Sequence, residues 1–379
     1  MAHLVLEFAR LANIDDPFAF AFKPQRYLLR GPGAIFDEID IDWDTSFIDS
    51  LRRLACPGSP PELVQALAIR LRALVATTRV WRACEDALEV ALTRAEPVTL
   101  TIRSAAAELY ALPWEFLALA SGQRLGCHPG ILLRYAWPQV AVPPRVQVEP
   151  PRALLAWSAA GGAIPTREHL RPIVSCFGGC TETLEHASLT SIRDALSTAA
   201  NAGWPFTLLH VLCHSMHQGE TVCLALDNRN HEGVDVVDPA RIANVLGDHA
   251  HSLRTLVLMT CASGTRVDNS FGGLSQTLHR AGHEFVIGSR FPLEAIASVR
   301  FAEEFYDARP FSPSSVESAF IAGRSALQTE RGDPSWASMQ LYSASETASE
   351  RNATLPRVSV ERMQGITFTA TGPITITAR

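Results

Sequence analysis

The chain has 379 residues, 47% of them hydrophobic, and a formal net charge of −6. That length suits two domains and that apolar content can fill them, which excludes a disordered or fibrous protein. The negative balance, with no basic run, argues against a nucleic-acid or anionic-membrane surface, so neither partner is expected.

Glu7 and Arg10 fall inside what would have to be the apolar core of a signal peptide, and no segment approaches the roughly 20 apolar residues of a membrane span. The eight cysteines therefore read as reduced thiols of a cytoplasmic protein.

In chain order, strands are expected at 3–9, 25–30 and 97–103, with amphipathic helices at 61–76 and 79–93. Residues 141–151 hold Pro143-Pro144 and Pro150-Pro151, which neither continue a helix nor donate within a central strand. A boundary here separates an N-terminal α/β domain, 1–141, from a second domain, 152–345. The second alternates regularly: strand 153–157, helix 166–176, strand 181–184, helix 189–200, strand 206–212, strand or hairpin 222–226, helix 238–246, strand 255–259, helix 271–281, strand 284–289, helices 293–308 and 313–328. Repeated strand–helix–strand units give an α/β fold with a mainly parallel sheet and helices on both faces. Beyond it, 346–379 is a Thr-rich tail whose alternation over 367–377 reads as a β-hairpin or docking segment.

Two of these strands end in reactive side chains. Leu208-Leu209-His210-Val211-Leu212-Cys213-His214-Ser215 and Leu256-Val257-Leu258-Met259-Thr260-Cys261-Ala262-Ser263-Gly264 are apolar runs of the kind that sit centrally in parallel sheets. The ligand crevice of an open α/β sheet lies at the carboxyl ends of its strands, so His214 and Cys261 face a common crevice. An imidazole there can take the thiol proton and later return it to a leaving amine. A histidine followed by a cysteine roughly 50 residues on also fits the caspase-like order.

Cys261 alone would read as a buried structural thiol, and His210, four residues before His214, reads as a core histidine. His210, Cys213, His214 and His217 do not read as a metal set, because a strand sends 210 and 213 to opposite faces. No metal or cofactor is expected. Ser289, Arg290 and Phe291 end the strand after the nucleophile helix. Arg290 there would favour an acidic substrate residue unless it pairs with Glu294, whereas Asp227 and Asp268 would favour a basic one.

Motifs beyond the dyad carry a family resemblance. Leu112-Pro113-Trp114-Glu115 and the apolar strand ending in Leu132-Leu133-Arg134, then Gly273-Leu274-Ser275-Gln276, Val286-Ile287-Gly288-Ser289-Arg290-Phe291-Pro292, Phe301-Ala302-Glu303-Glu304-Phe305-Tyr306 and Asp333-Pro334-Ser335-Trp336-Ala337 occur in the order found in the CHAT family. The chain resembles these bacterial relatives of caspases and separases over about residues 3–345. The resemblance implies a caspase-like fold with a pseudo-caspase-like first domain. It also implies a cysteine endopeptidase with catalytic His214 and Cys261, an oxyanion site made by the backbone N–H groups of Ser215 and Cys261, and a specificity pocket lined from 289–291.

The family usually has glycine after the histidine. Ser215 stands there, and a side chain at positive φ would cost about 1 kcal/mol. The resemblance further implies cleavage of a specific partner protein in a bacterial antiviral-defence or programmed-death module, triggered by an activating protein, sensor or ligand. The alternatives are a weakly active or inactive CHAT-fold scaffold and an acyl transferase using the same dyad.

Overall fold

A computed structural model describes residues 2–11, 20–54, 59–138, 140–218, 221–261, 273–290, 293–329 and 334–344. The N-terminal part contributes β1 (Ala2–Arg10), β2 (Gln25–Arg30) and β3 (Phe36–Ile41), helices α1 (Thr45–Leu54), α2 (Pro61–Val75) and α3 (Arg79–Thr93), then β4 (Val98–Ser104) and β5 (Ile131–Ala136). After an irregular stretch come β6 (Ala153–Trp157), α4 (Thr166–Phe177), β7 (Thr181–Leu184), α5 (Leu189–Asn201), β8 (Leu208–Gln218), β9 (Thr221–Asp227), β10 (Val234–Val237) and α6 (Pro239–Gly247). They are followed by β11 (Thr255–Cys261), α7 (Gly273–Arg280), β12 (Phe285–Ser289), α8 (Ala295–Asp307), α9 (Pro313–Ala326) and β13 (Met339–Ser343).

All the described strands join one sheet, in the order β7-β6-β8-β11-β12-β13-β5-β4-β1-β2-β3, with β9 and β10 extending from the later half of β8. Pairing is mainly parallel: β4 with β1 and β5, β6 with β7 and β8, and β11 with β8 and β12. Strands from both 1–141 and 152–345 therefore share a sheet, and the chain to Ala344 is one compact unit. The tail, 346–379, lies outside the described residues.

Burial explains the continuous apolar runs. β5 is buried at every position, as are residues 208–214 of β8, because helices cover both faces of these central strands. The caps are local: the Asp238 carboxylate accepts from Ala240 and Arg241 N–H at the start of α6, and the Thr78 hydroxyl accepts from Trp81 N–H at the start of α3, each satisfying an otherwise orphaned donor.

β13 makes the seam between the two parts. It pairs antiparallel with β12 over its whole length and meets β5 through Tyr342 opposite Tyr135, whose rings are 5.5 Å apart. Arginines reinforce the seam: Arg134 on β5 donates to Glu317 on α9 at 2.9 Å, and Arg324 on α9 donates to the Ile131 carbonyl at 2.8 Å.

One expected boundary is corrected. The strand expected at 206–212 runs on to Gln218, because β9 takes the edge that β6 leaves: β6 pairs with β8 as far as Leu212, and β9 pairs with it from His214 onward. His214 thus stands inside a strand rather than just past its end. Strand β3, helix α1 and strand β13 were not among the expected elements.

Candidate active site

His214 is held from both sides. On one edge of β8 it is the register partner of Cys261, the last residue of β11; on the other it is opposite Ala225 of β9. Neighbouring strands lie about 4.8 Å apart, and register partners share a sheet face. The His214 residue is only 4% exposed. Residues 262–272, which follow Cys261, are outside the described residues.

A glycine turn after β6 makes room for the His214 ring. A Cβ on Gly161 would stand 2.7 Å from the His214 Cβ, and one on Gly162 would stand 3.3 Å from its Nε2. Gly162 also has φ +134, which a side chain rarely adopts. The sequence reading missed this pair. Its signal was two consecutive glycines just past a buried strand, where the crevice of a parallel sheet lies.

Ser215 lies in the β8–β9 ladder opposite Leu224 and is not among the described residues with positive φ. The expected cost of replacing glycine at this position therefore does not arise, because extended backbone suits any residue. Leu212 turns its carbonyl to the β6 edge, accepting from Ser158 N–H at 3.0 Å. Backbone groups alternate along a strand, so the N–H of Ser215 turns to the opposite edge, toward Cys261 at the end of β11.

Below His214 on the same face, His210 is a fully buried core histidine. Its Nε2 lies 2.9 Å from His169 Nε2 on α4, and its Nδ1 lies 2.7 Å from the Tyr306 hydroxyl on α8. Burial lowers the pKa of His169 to about 4. Burial, and then the neighbouring His169, holds His210 well below the usual imidazole range. Cys213 is fully buried. Burial also raises other thiols: Cys84 to about 12, Cys176 to about 11, and Cys127 and Cys223 above the ordinary range. The six described cysteines other than Cys261 are free thiols.

The strand beyond Cys261 ends differently from expectation. Ser289 places its hydroxyl 3.3 Å from that of Thr260. Arg290 is neither solvated nor paired with Glu294: its guanidinium is buried and donates to Glu115 at 2.8 Å and to the Tyr135 hydroxyl at 2.7 Å. Burial disfavours its charge, yet the negative charge of Glu115, with Tyr135 beside it, raises its pKa above the ordinary value. This pairing is none of the placements left open by the sequence, which were an arginine facing an acidic substrate group, a solvated one and one paired with Glu294. Phe291 and Asp268 lie outside the described residues. Asp227 ends β9, with its carboxylate 3.8 Å from His186 Nδ1. No local pattern in the sequence links Glu115 to a residue 175 positions away.

Among the described residues, no group of three His, Cys, Asp or Glu side chains is placed to hold a metal. No described helix is long and apolar enough to cross a membrane.

The family model described as CHAT domain matches residues 62–344. No curated protein matches the sequence. Among solved structures, a secreted C11 cysteine protease from Bacteroides thetaiotaomicron, in complex with an irreversible peptide inhibitor, is similar at 10% identity and TM-score 0.30, covering 45% of this chain and 56% of that one. The Saccharomyces cerevisiae separase–securin complex is similar at 12% identity and TM-score 0.39, over 65% of this chain and 16% of that one. The complex of Porphyromonas gingivalis RgpB pro- and mature domains gives 10% identity and TM-score 0.40, over 79% and 75%. The chain thus spans little more than half of the first of these proteins and about a sixth of the second.

Proposed function

This chain belongs to the CHAT domain family, and from that premise we propose that it is a cysteine endopeptidase working through Cys261 and His214. The observation that carries this reading is their register: the two residues stand opposite one another on adjacent parallel strands, β11 and β8.

In the proposed reaction, His214 accepts the Cys261 thiol proton and the thiolate attacks the peptide carbonyl carbon. The oxyanion of the tetrahedral intermediate takes hydrogen bonds from the Ser215 and Cys261 N–H groups, and losing one such donor costs roughly 100 to 1000-fold in rate. On collapse the C–N bond breaks and the imidazolium gives its proton to the amine. A thioester remains, and water, deprotonated by His214, hydrolyses it. Ser215 is extended, so no backbone strain at this residue stands against the reading.

The substrate in this reading is a specific protein, docked along the chain at and beyond Ser289, and the trigger is another protein or a ligand. The resemblance adds the setting: a bacterial defence module in the cytoplasm.

Co-expression with proteins encoded beside this one tests the reading. Discrete fragments should appear with wild type and vanish with Cys261→Ala. The same fragments from both would end it.

A further inference from the structure

The end of β12 carries a buried charge pair that the proposed dyad does not use. Glu115 and Arg290 have side chains 1% and 3% exposed and meet at 2.8 Å. The Tyr135 hydroxyl closes the triangle, donating to Glu115 Oε1 at 2.7 Å and accepting from Arg290 at 2.7 Å. Three elements converge here: the turn at Trp114–Phe116, strand β5, and the residue that follows β12.

Burying such a pair gains little stability over apolar residues of the same volume, since both charges lose their water. What charge-assisted hydrogen bonds in a fixed fork do supply is geometry. That geometry is applied beside the nucleophile strand. The last register pair between β11 and β12 is Leu258 with Gly288; Arg290 follows two residues after it and Cys261 three. The Arg290 N–H is fixed as well, donating to the Ser338 carbonyl at 2.7 Å. Glu115 therefore anchors, by side chain, the point at which the chain leaves the sheet next to Cys261.

We propose that Glu115 is a positioning residue for peptide cleavage: through Arg290 it fixes the end of β12, and with it the peptide-binding side of the cleft. The inference rests on the reading of Cys261 as a peptidase nucleophile. A displacement of about 1 Å in such a support costs roughly 100-fold in rate.

Two reagents separate positioning from general damage. Iodoacetamide reads the reactivity of the Cys261 thiol, and a peptidyl chloromethyl ketone reads the thiol together with the peptide cleft. In Glu115→Gln the peptidyl reagent should label Cys261 at least about tenfold more slowly, while iodoacetamide changes less than about twofold. Glu115→Asp, which keeps the carboxylate, should recover part of the loss. If Glu115→Gln does not fold, the double variant Glu115→Leu with Arg290→Met removes both charges at similar volume and should show the same selective loss at an unchanged melting temperature. Wild-type peptidyl labelling in that folded variant, or equal slowing with both reagents, overturns the proposal. If the peptidyl reagent labels wild type no faster than Cys261→Ala, the peptidase reading itself falls and takes this inference with it.

Discussion

The Nε2 atoms of His169 and His210 lie 2.9 Å apart, so one ring donates to the other and the pair holds no second proton without repulsion. The remaining nitrogen of His210 is engaged by Tyr306. This chain of three polar groups involves α4 and α8 and lies four residues down the strand from His214, and it favours the neutral form of both imidazoles.

Acid should therefore unfold the protein early. Burial lowers His169 to about 4 and holds His210 lower than usual; it also lowers His279 to about 3 and His283 to about 4. As pH falls below about 6.5 the unfolded chain takes up protons that the folded one refuses, so stability present above that pH drains away toward pH 4. Each such histidine adds a slope of up to about 1.4 kcal/mol per pH unit. Urea unfolding at pH 7, 6 and 5 should show the slope, and His169→Gln should flatten it; an unchanged slope in that variant would refute the assignment.

Gly161→Ala should disable the site before it unfolds the protein. The added carbon would lie 2.7 Å from the His214 Cβ, closer than such atoms approach, and the ring must move. A fall of about 100-fold in the labelling of Cys261 by a peptidyl reagent, with the melting temperature lowered by only a few degrees, is the expected result.

Ser215→Gly should change little. Because Ser215 is extended in the β8–β9 ladder, glycine relieves no strain and only loosens the strand, by roughly 0.5 to 1 kcal/mol. Turnover of a cleaved substrate should stay within about threefold of wild type. A gain of tenfold or more would mean that the backbone at this residue works in a conformation different from the one described.

Thiol chemistry should single out Cys261. With Cys84 raised to about 12, Cys176 to about 11, and Cys127 and Cys223 also raised by burial, these four are almost wholly protonated at neutral pH and poor nucleophiles. Brief iodoacetamide treatment of the native protein at pH 7, read by peptide mass spectrometry, should modify Cys261 ahead of all four. Modification of any of them first would contradict this ordering.

How much was legible varied with how local the cause was. β8 and β11 announced themselves because strands buried on both faces are apolar without a break, and the alternation of strands and helices after residue 152 gave the parallel sheet. β3 did not: its acidic sequence Phe36-Asp37-Glu38-Ile39-Asp40-Ile41 sits at the sheet edge, where only one face is buried and charges are tolerated. β13 was missed because Met339-Gln340-Leu341-Tyr342-Ser343 is buried throughout yet includes polar Gln340 and Ser343, so neither an unbroken apolar run nor a strict alternation marks it. At the site, the order of His214 and Cys261 was readable. The strand continuing through His214, the glycines against its ring and the Glu115–Arg290 pair are tertiary facts, written in contacts between distant segments.

The position of β13 has a consequence for biosynthesis. The strand that joins the two parts of the sheet is the last one described in the chain, and it inserts between β12 and β5 rather than adding to an edge. While the chain is being made, the gap between β12 and β5 stays open until residues 339–343 have emerged. Long-range pairing of this kind is slow to form and leaves strand edges exposed meanwhile. A ribosome-bound chain stopped short of Met339 would thus lack the strand that lies between β12 and β5, and those two facing edges would stay unpaired.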